Sequence, residues 1–323
     1  MEEYDAEGYF CDLSFAPGLD ALGNMTGDSA NKTQGKVDRW QEDMLPGWAR
    51  PHQMMGENRT NTHKLHGMED VQPRLFGLTA PNDLRQGAIG DCWLITAMSS
   101  IAEFPALVQR LFKQTALAED GRYDIRLYDE EGDKWHVLTI DDRLPFIKKP
   151  GYYGHTLFCK PSLEGEFWPC LLEKAFAKFL HGYWRLEGGF TGVALVALTG
   201  KPSIFFSIGQ GDPHTARDFF YGAEWEHSAH KCILMRNPGK DKGWSTWYGE
   251  PDPAVWEPIE EEPLTELDDD TLWEKLKGWD EAGYIMGASS RCDYQGVISG
   301  HAYSIIQVAL PRVVHEGALG GLG

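Results

Sequence analysis

The string Gln86-Gly87-Ala88-Ile89-Gly90-Asp91-Cys92-Trp93 stands directly before CWLITAMSSIAEF, in which Leu94, Ala97, Met98 and Ile101 fall at helical spacing. A cysteine opening a helix is a candidate nucleophile. A free thiol is only about 3% thiolate at neutral pH, and a helix N-terminus beside an imidazolium lowers its pKa by several units. Gly87 and Gly90 let the chain turn tightly ahead of the helix, and the Cys92 N–H is one of the first-turn donors without an intrahelical partner. Gln86 brings a side-chain amide to the same point. Two such donors fit an oxyanion hole, where losing one typically costs about 10²- to 10³-fold in rate. A buried cysteine in a helix-capping turn is the plainer reading, and the motif alone leaves both open.

A thiolate needs a base. Of eleven histidines, His301 is singled out by Gly300-His301-Ala302-Tyr303-Ser304, which opens an alternating run, so that a strand would hold its imidazole against a cleft. Taken alone, a strand histidine is more often structural. The trio His227, His230 and Cys232 has metal-ligand chemistry but lacks the fourth ligand and paired spacing of a zinc site, and is read as a surface coincidence.

The elements that must position these residues follow from pattern. YDIRLYDEEGDKWHVLTIDDRLP reads as two alternating strands around an Asp-Glu-Glu-Gly turn. EGEFWPCLLEKAFAKFL reads as a helix with an apolar stripe of Trp168, Leu171, Leu172, Ala175, Phe176 and Phe179, set opposite Glu173, Lys174 and Lys178 and packing on the Cys92 helix. Residues 1–70 read as a loop-rich lead-in and 71–200 as a subdomain carrying Cys92, with the boundary among the glycines of 188–200. Residues 201–323 read as a partial second subdomain with an acidic, solvated insertion around 210–270, then a helix (LWEKLKGWDEAGYIM) and a strand (GVISGHAYSIIQVAL).

The 42% hydrophobic content and twelve tryptophans can fill a core. A formal charge of −19 repels phosphate backbones and anionic membranes, so nucleic acid is not an expected partner. The N-terminus has no basic segment followed by an apolar one, and no stretch of about eighteen apolar residues occurs. Six scattered cysteines without a CxxC pair read as free thiols, and a cytoplasmic location is expected.

Four blocks in order, QGAIGDCWLITAMSSIA, VLTIDDRLP, EFWPCLLEKAFAKFLHGYWRLEGGFTG and GVISGHAYSI, resemble the calpain protease core, and FCDLSFAP and WARP resemble its lead-in. The resemblance implies an α+β, papain-like fold in which a helical Cys subdomain packs against a partial antiparallel β subdomain carrying the histidine. It implies an intracellular cysteine endopeptidase acting on protein or peptide substrates, with Cys92 as nucleophile, Gln86 as oxyanion-hole amide and His301 as general base. Trp93 matches the family's Trp after the cysteine and is equally readable as a core aromatic. Calcium is the implied cofactor and Asp83 the matching ligand, or else a solvated loop carboxylate; Trp184 stands where the family has an acidic residue, with Glu187 nearby. The family's Arg-Asn-Pro-Trp-Gly motif is not found after His301, where no Asn or Asp occurs, and the similar string at Asn237 precedes the histidine. A chain truncated before that motif is expected to turn over weakly or to serve as a peptide- or partner-binding protein.

Overall fold

The computed structural model describes residues 3–23, 46–55, 71–130, 132–148, 156–201, 205–209, 230–236, 257–258, 265–267, 269–290, 297–298 and 300–309. Asn237, His227, Cys292 and most of the acidic run lie outside them.

The helix Cys92–Ala102 forms where the 3.6 spacing called for it. Leu94, Ala97, Met98 and Ile101 are completely buried on one face, and a second helix, Pro105–Gln109, restarts after Glu103 with proline at its first position. Helix Thr191–Thr199 packs on the Cys92 helix and ends at Gly200 in the left-handed region, so the glycine-punctuated stretch holds a regular element.

Ten strands occur among the described residues: β1 (Pro46–Ala49), β2 (Arg122–Asp129), β3 (Lys134–Asp141), β4 (Leu144–Ile147), β5 (Phe205–Gly209), β6 (His230–Arg236), β7 (Glu257–Pro258), β8 (Thr265–Leu267), β9 (Met286–Ser290) and β10 (His301–Ile305). All pair antiparallel, as β1 with β4, β2 with β3, β9 with β10, and β5, β7 and β8 around β6. In the β2–β3 hairpin Arg122 faces Asp141 and Asp129 faces Lys134, while Tyr123, Ile125 and Leu127 alternate into the core. The helix near the C-terminal end, Asp269–Glu281, stops short of the Tyr-Ile-Met expected in it because Gly283 adopts a positive φ and the chain leaves as β9. The expected strand narrows to His301–Ile305.

Helix Trp168–Phe179 packs on β2, β3 and β4 and on the 3-10 turn Tyr183–Leu186, touching the Cys92 helix through Phe176 against Trp93. Glu173 and Lys174, set opposite the apolar stripe, are buried as well. Lys174 Nζ donates to Asp141 Oδ1 and to the Arg143 carbonyl, each at 2.6 Å, and Arg143 Nε donates to Asp141 Oδ2 at 2.9 Å. Burial alone would raise the Asp141 pKa; Lys174 and Arg143 overcome it and hold the group at about 2. The lead-in is woven into this network. Lys178 Nζ reaches Asp12 Oδ2 at 2.7 Å, and the buried Arg50 guanidinium pairs with Asp142 and donates to the Phe10 carbonyl at 3.0 Å. Charge pairs between distant segments, invisible to a periodicity reading, turn the hydrophilic face of this helix inward.

Candidate active site

The segment before Cys92 is held from two sides. The Ala88 N–H donates to the Leu157 carbonyl at 2.9 Å, the Lys160 N–H to the Arg85 carbonyl at 2.9 Å, and Arg85 Nη2 to the Pro161 carbonyl at 2.7 Å. On the other side the Gly90 N–H donates to Glu187 Oε2 at 2.9 Å and the Gly188 N–H to the Gly90 carbonyl at 2.8 Å. Gly87 is required here by contact: a β-carbon on it would fall on the Phe158 backbone carbonyl. The Gln86 Nε2 donates to the Ile89 carbonyl at 2.7 Å, which fixes the amide inside the loop and leaves a second N–H on the same nitrogen.

Cys92 is the first helical residue, half-buried and unoxidised. The Ala302 N–H lies against its sulfur, one residue past His301. Burial is the largest influence on the thiol and pushes its pKa up; the Ala302, Trp93 and Cys92 N–H groups pull it down, and Asp91 adds to the rise. The lowered pKa expected from the helix N-terminus is therefore not reached in this arrangement, because desolvation outweighs the backbone donors. The β9–β10 hairpin is tied to the Cys92 helix by Ser304 Oγ donating to Ser99 Oγ at 2.9 Å and Ser100 Oγ donating to the Met286 carbonyl at 3.0 Å. His301 heads β10, half-buried, with Tyr303 edge-on to its ring at 4.9 Å.

Cys92 and the strand begun by His301 are thus brought together, while the Gln86 amide is held in the loop ahead of Cys92. Trp93 is a core residue: it is 2% exposed, and its Nε1 donates to the Leu186 carbonyl at 2.8 Å. The sequence reading missed the Ala302 N–H, which carries no side-chain signal, and the role of Glu187, whose proximity was visible but whose bond to Gly90 was not.

Asp83 stands apart, at the end of the 3-10 turn Pro81–Asp83, where its Oδ2 accepts the Ala80 N–H at 2.6 Å. Its neighbour is Glu166, whose carboxyl accepts the N–H groups of Gly77 and Thr79 and the Ser162 hydroxyl. Burial, and then Asp83 beside it, push the Glu166 pKa up. Trp184 packs over Gly23 and Gly182 with the Arg185 guanidinium 4.7 Å from its ring, and Glu187 is committed to Gly90. Calcium takes six to eight oxygen ligands. Among the described residues no group of three or more His, Cys, Asp or Glu side chains is arranged to hold a metal ion, and Asp83 has the Glu166 carboxyl as its neighbour.

A half-buried thiol at a helix N-terminus is set against a strand that begins with histidine, with a fixed amide in the loop before it. The calpain family cysteine protease profile matches residues 10–316, and the chain belongs to that family. The α+β mixture of helices and small antiparallel sheets agrees with it. The chain is 28% identical over 244 residues to the calpain-type cysteine protease ADL1 of Oryza sativa subsp. japonica, covering 73% of this chain and 9% of that protein. It is 29% identical over 231 residues to calpain-B of Drosophila melanogaster (71% and 19%), and 33% identical over 153 residues to calpain-5 of Mus musculus (43% and 22%). The matched region is thus under a quarter of the length of each of these relatives.

Proposed function

We propose that this chain is a cysteine endopeptidase core acting on protein or peptide substrates. The Cys92 sulfur attacks the peptide carbonyl, forming the S–C bond, while the Gln86 amide and the Cys92 N–H hold the oxyanion. The Cys92 S–H proton passes to the His301 imidazole as the sulfur attacks, and the resulting imidazolium gives it to the leaving amine as the C–N bond breaks. Water, deprotonated by His301, then releases the acyl group as a carboxylate. The observation that supports this most is the Ala302 N–H on the Cys92 sulfur, which sets the strand begun by His301 against the nucleophile.

Labelling by a peptidyl epoxide probe tests the reading. Wild type is expected to label at Cys92, and Cys92→Ala and His301→Ala to lose the label; labelling of Cys92 no faster than of the other cysteines overturns it. A second reading, a peptide- or partner-binding protein without turnover, is supported by the burial that raises the Cys92 pKa. Bound but uncut peptide in the same assay distinguishes it.

No step of this reading runs through the calcium that the family resemblance implies. Because Cys11, Cys92, Cys159 and Cys170 are free thiols, a reducing, cytoplasmic setting is part of the proposal.

A further inference from the structure

Asp91 occupies the N-cap position of the Cys92 helix and does not cap it: its side chain makes no hydrogen bond to the first-turn N–H groups. An aspartate at this position ordinarily turns outward onto those donors. Here it turns into the core, 0% exposed, and neither carboxyl oxygen has a hydrogen bond of ordinary geometry. Such a group calls for an explanation, because an uncompensated buried charge is costly.

Two side chains lie against it, Glu173 from the Trp168–Phe179 helix and Gln86 from its own loop. Glu173 is buried as well, with Oε1 accepting the Cys159 N–H at 2.9 Å. Two carboxyls pressed together out of water cannot both ionise. The other titratable groups around the pair are Cys92 and Glu187 next to Asp91, Cys159 beside Glu173, and Cys170 and Tyr183, both buried, beyond them. None of these is cationic.

Resting on the peptidase reading of Gln86 and Cys92, we propose that Asp91 is a positioning residue: with Glu173 it forms a proton-holding carboxyl pair that steadies the Gln86 amide and keeps negative charge away from the Cys92 sulfur.

Burial pushes Asp91 up to about 7 and Glu173 well above the ordinary carboxyl range. Below that value the pair is neutral; above it Asp91 is ionised next to Cys92 and disfavours the thiolate. The pair therefore weighs on the thiolate only above that pH, and leaves it unburdened below.

The test is the rate of Cys92 alkylation by iodoacetamide, read by mass spectrometry at pH 6 and pH 8. This reagent needs only the thiolate, so the result stands whether or not the peptidyl probe labels. Asp91→Asn, always neutral, is expected to react roughly threefold or more faster than wild type at pH 8. Glu173→Gln, which gives Asp91 an amide donor and keeps it ionised, is expected to react more slowly than wild type at pH 6 by a similar factor. A merely structural role would move both variants in one direction. Two shifts of the same sign, or none, overturn the proposal. For Gln86, binding of a peptide aldehyde is expected to weaken roughly tenfold in Gln86→Leu and in Asp91→Leu and no further in the double variant; additive losses would show that Asp91 does not act through the amide.

Discussion

The Ala302 N–H meets the Cys92 sulfur because the β9–β10 hairpin lies directly on the Cys92 helix. Gly287 in β9 makes that approach possible: a β-carbon there would stand 3.0 Å from Thr191 Cγ2 and 3.2 Å from Thr96 Cγ2. Gly287→Val is expected to wedge the hairpin outward. Probe labelling of Cys92 should fall roughly tenfold or more, while urea unfolding should register a loss of only about 1–3 kcal/mol.

Gly87 tests the opposite side of the nucleophile. Its missing β-carbon leaves room for the Phe158 carbonyl, a backbone atom that cannot swing away as a side chain would. Gly87→Ala should therefore push the Gln86 loop off the 157–160 segment and cost about 1–3 kcal/mol. Wild-type stability in that variant would show that the loop is not clamped there.

How much of this could be read beforehand depended on the range of the interaction. The β2–β3 hairpin and the Cys92 helix were legible because alternation, a turn tetrad and 3.6 spacing are local properties. Cys92, Gln86 and His301 were singled out as residue types in context, and the structure sets the strand that His301 begins against Cys92. The burial of Glu173 and Lys174 was not legible because it is decided by partners far along the chain, Cys159 and Asp91 for one, Asp141 and Arg143 for the other. Asp83 was legible as a carboxylate but not as the neighbour of Glu166.

Calcium is the sharpest point of difference from the family resemblance. Trp184 stands at the position of an expected anionic ligand with the Arg185 guanidinium over its ring, and Glu187 already accepts the Gly90 N–H. Labelling of Cys92 is expected to proceed at the same rate in millimolar calcium and in chelator. A calcium-dependent rise that Asp83→Ala abolishes would mean that the Asp83–Glu166 pair binds the ion after all.

The Asp141–Lys174 pair should govern behaviour in acid. Both side chains are buried, and removing one partner of a buried pair typically costs about 3–5 kcal/mol because the other charge is left uncompensated. Lys174→Ala is therefore expected to lower stability strongly at neutral pH. Asp141 is held at about 2, below its ordinary 3.8, so its contribution is fully present above about pH 4 and is lost as pH falls through about 2. Asp142 works in the other sense: burial raises it to about 6 against the pull of Arg50, so its contribution is greatest below its ordinary value and is lost as pH rises through about 6. Urea unfolding from about pH 2 to pH 7 separates the two. The stability gap between wild type and Asp141→Asn should be wide above about pH 4 and close towards pH 2, whereas Asp142→Asn should recover most ground relative to wild type above about pH 6. A gap for Asp141→Asn that stays constant across the range would mean that the carboxylate's charge is not what holds Lys174 in the core.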